Sequence, residues 1–283
     1  MTDPLYVLYA VFSVLIGLAI GSFWNVCIAR WPEDRSVVQP RSRCPSCGTP
    51  IAARDNVPVV SWVVLKGRCR ACAWPIPATY PLTELLGGAL GFLVFRRFVP
   101  GPLELDAVHL LAFVLYFGFA GALVIAIFVD VRHRIIPDEV SIYAIPVGIL
   151  GSALLEALGY TGWMAIGWRQ AVLGALLGGA FFGVMAASVQ FLSGREGLGW
   201  GDVKLLAMIG SFLGAHPAIF SVTLAASLTG SVVGLASMLW HQRRTYQPLG
   251  PPLGGWALIY LLYADELVAR FLPNLALWLP GGR

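Results

Sequence analysis

Long apolar runs alternate with short polar segments along the chain, and the runs predict membrane-spanning helices. Eight such runs occur, at about residues 5–29, 79–98, 108–129, 139–159, 170–192, 203–215, 217–239 and 254–272. An apolar helix of about 20 residues crosses the hydrocarbon core of a bilayer. Residues 110–129 lack the polar face that a helix of a soluble protein would show. The pattern predicts an all-α polytopic membrane protein with about eight transmembrane helices.

The composition agrees with this prediction. Of the 283 residues, 58% are hydrophobic and only 12% are charged, whereas soluble domains carry about 25% charged residues. The first run is too long for a cleaved signal peptide and has no basic segment before it, so we expect a retained span. The sixth run is short, and the sequence Gly-Ala-His-Pro at residues 214–217 predicts a tight turn into the seventh.

Positive side chains are distributed unevenly between the predicted loops. Fourteen of the 19 Lys and Arg residues fall within residues 30–70, 132–134, 195–204 and 243–244, and five fall in the loops on the other side. Cytoplasmic loops of membrane proteins carry the excess of positive charge. The N-terminus is therefore predicted to lie outside, and the net charge of +4 is no evidence for a nucleic-acid partner.

One sizeable polar insert interrupts the apolar runs. The predicted domains are a first transmembrane helix at residues 1–29, a cytoplasmic insert at 30–78 and a transmembrane bundle at 79–283. We expect no internal repeat and no low-complexity segment anywhere in the chain. The insert is too short to have a large apolar core.

Four of the five cysteines lie in this insert as two C-x₂-C pairs, Cys44/Cys47 and Cys69/Cys72, with 21 residues between the pairs. Such paired turns suit a tetrahedral Zn²⁺ site, and this spacing is just beyond the usual range. A cytoplasmic location favours thiols over two disulfides, which are the alternative. We predict a structural, closed zinc site. Cys27, inside the first run, is interpreted as a buried apolar side chain.

Two groups of carboxylates lie at ends of predicted spans. Asp130 ends the third run, and Asp138 follows at Pro137-Asp138, where it is a natural N-cap of the next helix. The alternative for Asp130 is a solvated helix end paired with Arg132 or Arg134. Ionisable groups at membrane depth are costly and by default mark function.

The second group is Gly199-Trp-Gly201-Asp202-Val-Lys204. Flanking glycines permit positive φ and close backbone approach, so Asp202 can turn into the bundle, although it can also cap the helix. The predicted topology places Asp202 at the same cytoplasmic depth as Asp130. Two carboxylates within a few ångströms share a proton. One can then activate water while the other protonates a peptide carbonyl, without a metal.

These residues give the chain a resemblance to a known family. The matching stretches are Gly21-Ser-Phe-Trp-Asn-Val, Arg30-Trp-Pro32, the two cysteine pairs, Tyr80-Pro-Leu-Thr-Glu84-Leu-Leu-Gly, Asp130 through Pro137-Asp138, and Gly199 through Lys204-Leu-Leu. In this order the chain resembles the type IV prepilin leader peptidases, which are G-x-G-D aspartic membrane proteases and also N-methyltransferases.

The resemblance implies an enzyme of the bacterial inner membrane that cleaves type IV prepilins and type II secretion pseudopilins on the cytoplasmic side. It implies N-methylation of the new N-terminus with S-adenosylmethionine. The catalytic pair falls on Asp130 and Asp202, supported by Gly199, Gly201 and Lys204, with Asp138 as the alternative partner.

The methyltransferase activity is assigned by this resemblance to the N-terminal half, with Glu84 and Asn25 as candidate cofactor contacts. The alternatives are an ion pair of Glu84 with Arg30 or another insert arginine, and an interhelical hydrogen bond for Asn25. No glycine-rich dinucleotide loop is present in the sequence. Two other functions remain open: a peptidase without methyltransferase activity, and a non-catalytic zinc-bearing assembly factor whose aspartates only cap helices.

Overall fold

The computed structural model describes residues 3–193, 199–241 and 248–271, and in these ranges the regular structure is helical. The helices are α1 Pro4–Arg30, α2 Val60–Val64, α3 Thr79–Phe98, α4 Ala107–His133, α5 Ala144–Ala157, α6 Trp168–Leu176, α7 Phe182–Ser193, α8 Trp200–Leu213, α9 Phe220–His241 and α10 Gly250–Phe271. Short 3₁₀ turns lie at Trp31–Glu33, Ala53–Asp55 and Pro102–Glu104, and π turns at Leu177–Phe181 and Ala215–Ile219. The predicted all-α class is confirmed.

Four of the described helices or joined helix pairs are long and apolar enough to cross a membrane: Pro4–Glu33, Ala107–His133, Trp168–Leu192 and Ala215–Leu239. Helix α5 is a shorter apolar helix, and it begins at Ala144, five residues after the predicted start. The predicted turn at residues 214–217 is present, with Gly214 at φ 82°. Arg195, Arg243 and Arg244, on which the predicted orientation partly rests, lie outside the described residues.

The chain divides into two compact units, residues 1–105 and 106–283. In the first unit, α1 and α3 pack at very short range because small residues recur every fourth position on each helix. A Cβ on Gly87 would overlap the carbonyl of Gly17, and one on Gly91 would overlap that of Ser13. Small residues at such spacing let membrane helices approach closely. In this division α3 belongs to the same unit as α1 and the insert, whereas the predicted bundle begins at residue 79. The predicted domain bounds stay a prediction.

The insert between α1 and α3 contains a short repeat, so the expectation of no internal repeat is wrong. Residues 43–51 and 68–76 both follow the pattern Arg-Cys-x-x-Cys-x-x-Pro-Ile. In each copy the carbonyl of the first cysteine accepts a hydrogen bond from the backbone N–H of the residue four positions later. That residue has positive φ, 71° at Gly48 and 57° at Ala73. Bridges join Arg43 with Pro50 and Arg68 with Pro75. Each copy is therefore the same tight turn, closed by a two-residue bridge.

In the second unit, α4 and α8 form the buried centre. Helix α6 crosses α8 where Gly174 and Gly210 face each other, so closely that a Cβ on either would overlap the other's carbonyl. Tyr116 of α4 is fully buried and donates to the carbonyls of Met164 and Phe212. These contacts hold the first half of α4 beside the C-terminal end of α8.

Candidate active site and metal centre

Asp130 lies one turn before the end of α4, and its residue is only 6% exposed. The helix ends at His133, where Arg134 takes a left-handed conformation and donates its backbone N–H to the Asp130 carbonyl. Such burial is not that of a solvated helix end, which was the alternative interpretation. An ionisable group buried to this extent needs a compensating partner.

That partner is the N-terminus of α10. The backbone N–H of Gly250 donates to Asp130 Oδ2 at 3.1 Å. Residues Pro251 and Pro252 follow, and proline has no N–H, while the N–H of Leu253 is already bonded to the carbonyl of Leu249. Gly250 thus supplies the free donor of this helix end, where the helix dipole favours negative charge.

Only glycine fits at residue 250 in this arrangement, because a Cβ there would overlap the Asp130 carboxylate. Gly250 was not among the site residues predicted from the sequence. Its signal is a glycine between prolines, in Pro248-Leu-Gly250-Pro-Pro, and such glycines are common in ordinary turns. The signal acquires meaning only from the contact with Asp130.

Asp202 is the third residue of α8 and is 7% exposed. The N-cap of this helix is Gly199, and no side chain caps it, so the capping interpretation of Asp202 is wrong. The glycines do not act through positive φ as expected, since Gly199 has φ −66° and Gly201 is an ordinary helical residue. Gly201 instead packs against Ile136: a Cβ added to Gly201 would lie 3.4 Å from the Cβ of Ile136.

Both aspartates of the predicted pair are buried in the second unit, Asp130 near the end of α4 and Asp202 in the first turn of α8. Neither carboxylate caps a helix of its own. Two buried carboxylates that influence each other can share a proton, which is the arrangement expected for water activation.

Asp138 has a different environment. It opens a turn before α5, whose N-cap is Tyr143, so the predicted capping role is wrong. Its carboxylate pairs with Lys204 Nζ at 2.8 Å, and both side chains are part-exposed, 48% and 37%. The pair ties the segment after α4 to the first turn of α8. Lys204 follows Asp202 by two residues, and its ammonium group is engaged with Asp138.

In the first unit, the four insert cysteines converge. Their sulfur atoms all lie within 4.8 Å of one another, and Cys44 Sγ is 3.7 Å from Cys72 Sγ. All are free thiols, so the disulfide alternative is wrong. Four thiolates bound at about 2.3 Å around one zinc ion lie about 3.8 Å apart. The cluster can hold a metal ion of this kind.

Local hydrogen bonds favour the thiolate form at two of these positions. Hydrogen bonding by Thr49, whose Oγ1 lies 3.3 Å from the sulfur, lowers the pKa of Cys47 to about 6. Backbone N–H groups of Cys72 and Ala71 lower the pKa of Cys69. Burial and the neighbouring cysteines act in the opposite direction at Cys72 and raise its pKa to about 11. Thiolates are the form that binds metal, so the hydrogen bonds favour metal binding at Cys47 and Cys69.

Glu84 in α3 is 9% exposed, and its Oε2 accepts from the backbone N–H of Val59 at 2.7 Å. Val59 has φ 60° and ψ −49°, a strained conformation for a β-branched residue. Glu84 therefore anchors the turn that leads into α2. Arg30, its predicted ion-pair partner, donates instead to the carbonyls of Ser36 and Pro40.

Asn25 is engaged between α1 and α3. Its amide nitrogen donates to the Tyr80 carbonyl at 3.1 Å, and its amide oxygen accepts from Thr83 Oγ1 at 2.5 Å. These are the interhelical hydrogen bonds that the sequence left open as an alternative to a cofactor contact. A role of Asn25 or Glu84 in cofactor binding stays a prediction.

Comparison with known proteins agrees with this division of the chain. The model of the Bacterial Peptidase A24 N-terminal domain matches residues 15–98, and that of the Type IV leader peptidase family matches residues 117–235. A protein of Aeromonas hydrophila named prepilin leader peptidase/N-methyltransferase is 36% identical over 295 residues, covering 94% of this chain and 95% of the relative. The chain belongs to the type IV leader peptidase family.

Other relatives carry the same name. The one from Myxococcus xanthus is 41% identical over 232 residues, which is 82% of this chain but 64% of the relative, so the chain spans less than two thirds of that protein. The one from Burkholderia pseudomallei is 33% identical over 279 residues. No solved structure matches the chain. Within the family matches, the cysteine cluster, Asn25 and Glu84 fall in the N-terminal domain, and the three aspartates fall in the peptidase part.

Proposed function

We propose that this chain cleaves the leader peptides of type IV prepilins and type II secretion pseudopilins and then N-methylates the new N-terminal residue. The observation that carries the proposal is the burial of both Asp130 and Asp202 in a member of the type IV leader peptidase family. The names of the relatives supply both activities.

The two aspartates take different roles in the proposed hydrolysis. The Gly250 N–H stabilises the charged form of Asp130, so Asp130 is the carboxylate that removes a proton from the attacking water. Asp202 holds the shared proton and donates it to the carbonyl oxygen of the scissile peptide. When the tetrahedral intermediate collapses, the C–N bond breaks, the leaving amine takes up the proton that Asp130 holds, and one hydroxyl of the intermediate returns its proton to Asp202 as the C=O bond reforms. The pair thus ends with the single proton with which it began.

Asp138 and Lys204 support this site without entering the reaction. Their ion pair, at 2.8 Å, connects the segment after Asp130 with the helix that carries Asp202. The burial of Asp130 and its contact with Gly250 favour it over the exposed Asp138 as the partner of Asp202. Gly199 and Gly201 contribute by placing no side chain on either side of Trp200 at the start of α8, and Gly201 lies next to Ile136.

The location proposed for the protein is the bacterial inner membrane. The excess of Lys and Arg on one side favours an outside N-terminus and a cytoplasmic active site. Eight spans are proposed, formed by α1, α3, α4, α5, the α6–α7 pair, α8, α9 and α10. Helices α5 and α8 have 14 residues each, which is short for a full crossing.

The cysteine cluster is proposed to hold one structural Zn²⁺. The sulfur separations and the two lowered thiol pKa values support this assignment. With four protein ligands the site has no open position, so the ion would cross-link the two copies of the repeat and stabilise the insert. The cysteines themselves take no part in hydrolysis.

S-adenosylmethionine is the proposed methyl donor, and it would supply an electrophilic methyl group to the new N-terminal amine. The nitrogen and the oxygen of the Asn25 side-chain amide both form hydrogen bonds with α3, and one carboxylate oxygen of Glu84 accepts from Val59. These contacts fit a structural role better than a cofactor cradle, so no step is assigned to either residue.

The test of the peptidase assignment is substitution of each aspartate by asparagine in the full-length protein. Asp130→Asn and Asp202→Asn are expected to abolish cleavage of a prepilin, measured by mass spectrometry of the pilin N-terminus. Asp138→Asn is the matched control, and we expect it to retain most of the activity because it lies outside the buried pair. Wild-type cleavage by either of the first two variants would refute the dyad.

A further inference from the structure

The insert exposes an apolar face on its short helix α2. Val57, Val60, Val63 and Val64 are between 46% and 67% exposed and lie on one side of this helix and the turn before it. We call these four residues the valine face. Apolar side chains clustered at a surface mark an interaction site more often than isolated ones do.

The opposite side of α2 is firmly attached to the insert, so the valine face is held outward. Ser61 is 8% exposed, and its hydroxyl donates to the Arg54 carbonyl and accepts from the Val57 N–H. Trp62 Nε1 donates to the carbonyl of Ile76. The start of the helix is fixed by the hydrogen bond from Val59 to Glu84 in α3.

Basic residues predominate in the sequence on both sides of the valine face. Residues 30–78 carry eight Lys or Arg and only three Asp or Glu, and Arg54, Lys66 and Arg68 are exposed next to α2 in the sequence. Of the acidic residues, Asp55 is paired with Arg70 at 2.6 Å and Glu33 with Arg35 at 3.0 Å. A metal ion with four thiolates would remove part of this positive charge but not reverse it.

We propose that the valine face is a membrane-docking surface that inserts between the headgroups of anionic phospholipids. Both ends of the insert continue into apolar helices, α1 and α3, which pack together, so the insert cannot move far from the bilayer that holds them. Apolar side chains flanked by Lys and Arg are the composition of segments that lie in an anionic membrane interface.

Charge favours lipid over the other occupants of such a face. A basic leader peptide or a second copy of this insert would bring positive charge against positive charge. The inference rests on the membrane location proposed above, and it is independent of the catalytic role of the aspartates.

The test is photo-crosslinking with p-benzoylphenylalanine in place of Val63 in the full-length protein. The protein is placed in nanodiscs of phosphatidylethanolamine with phosphatidylglycerol, or of phosphatidylcholine alone, with and without a prepilin. Mass spectrometry then identifies the adduct. We expect phospholipid adducts that are several-fold more abundant with phosphatidylglycerol, whether or not the prepilin is present.

Two variants in the same background separate the contributions. Val60→Asp with Val64→Asp is expected to reduce the lipid adduct several-fold. Lys66→Glu with Arg68→Glu is expected to retain an adduct but lose the preference for phosphatidylglycerol. Adducts to the prepilin or to a second copy, or no adduct at all, would overturn the proposal. Loss of prepilin cleavage with lipid adducts intact would count against the proposed function alone.

Discussion

Replacement of Gly250 by alanine tests the proposed site at a residue that does not itself react. A Cβ at this position would overlap the Asp130 carboxylate. The obstacle is the end of a side chain and not a backbone, so Asp130 can swing aside and the fold is expected to survive. The carboxylate then loses its hydrogen bond from the start of α10, now 3.1 Å long.

The expected loss of activity follows from that bond. A hydrogen bond to a charged group contributes about 1.5–3 kcal/mol, and about 1.4 kcal/mol corresponds to a tenfold change in rate. We therefore expect kcat for prepilin cleavage to fall by about 10- to 100-fold, with little change in KM, because the displaced group acts on water and not in substrate binding.

Gly255→Ala is the matched control. It lies on the same helix, and a Cβ there has no neighbour within 4 Å. Helix propensity favours alanine over glycine by about 1 kcal/mol, so this variant is expected to be fully active and no less stable. The measurement is the initial rate of cleavage over a range of substrate concentrations in detergent or nanodiscs. Unchanged kcat in Gly250→Ala, or an equal loss in both variants, would refute the positioning of Asp130 by α10.

Three further predictions concern the first unit. Gly48 and Ala73 both have positive φ, which glycine adopts at a lower cost than alanine. Ala73→Gly is therefore expected to strengthen metal retention and Gly48→Ala to weaken it, each by about 1 kcal/mol or about fivefold. Titration with a chelator measures metal retention. Thr49→Val removes the hydroxyl that hydrogen-bonds with the Cys47 sulfur and lowers its pKa to about 6. The pKa of Cys47 should then rise and metal release on acidification should begin at higher pH, as measurements of bound zinc against pH would show. Gly87→Ala places a Cβ against the α1 backbone and should destabilise the helix pair by about 1–3 kcal/mol, lowering the Tm.

The helices were predictable because their signal is local. Apolar runs end where charged, glycine or proline residues begin, and most predicted bounds lie within a few residues of the observed ones. The start of α5 was misplaced because Pro137-Asp138 has the local features of a helix start. In the structure the Asp138 carboxylate pairs with Lys204, which is 66 residues away in the chain, and the helix begins only at Ala144.

The candidate site was predictable in its members but not in its geometry. Asp130 and Asp202 stand out in the sequence because ionisable residues are rare at the ends of apolar runs. The role of the glycines was misjudged, since Gly199 and Gly201 do not need positive φ. Gly250 escaped notice because a glycine between prolines has many ordinary explanations, and its importance comes from a contact across 120 residues of chain.

The sequence by itself determined the class of protein, the four clustered thiols and the two carboxylates, since each depends on residue type and short spacing. The tertiary structure decided which groups meet. It sets Asp130 against the start of α10, gives Asp138 to Lys204, and commits Asn25 to α3. Such choices depend on packing between distant segments, where the presence or absence of one Cβ decides whether two backbones, or a backbone and a carboxylate, can touch.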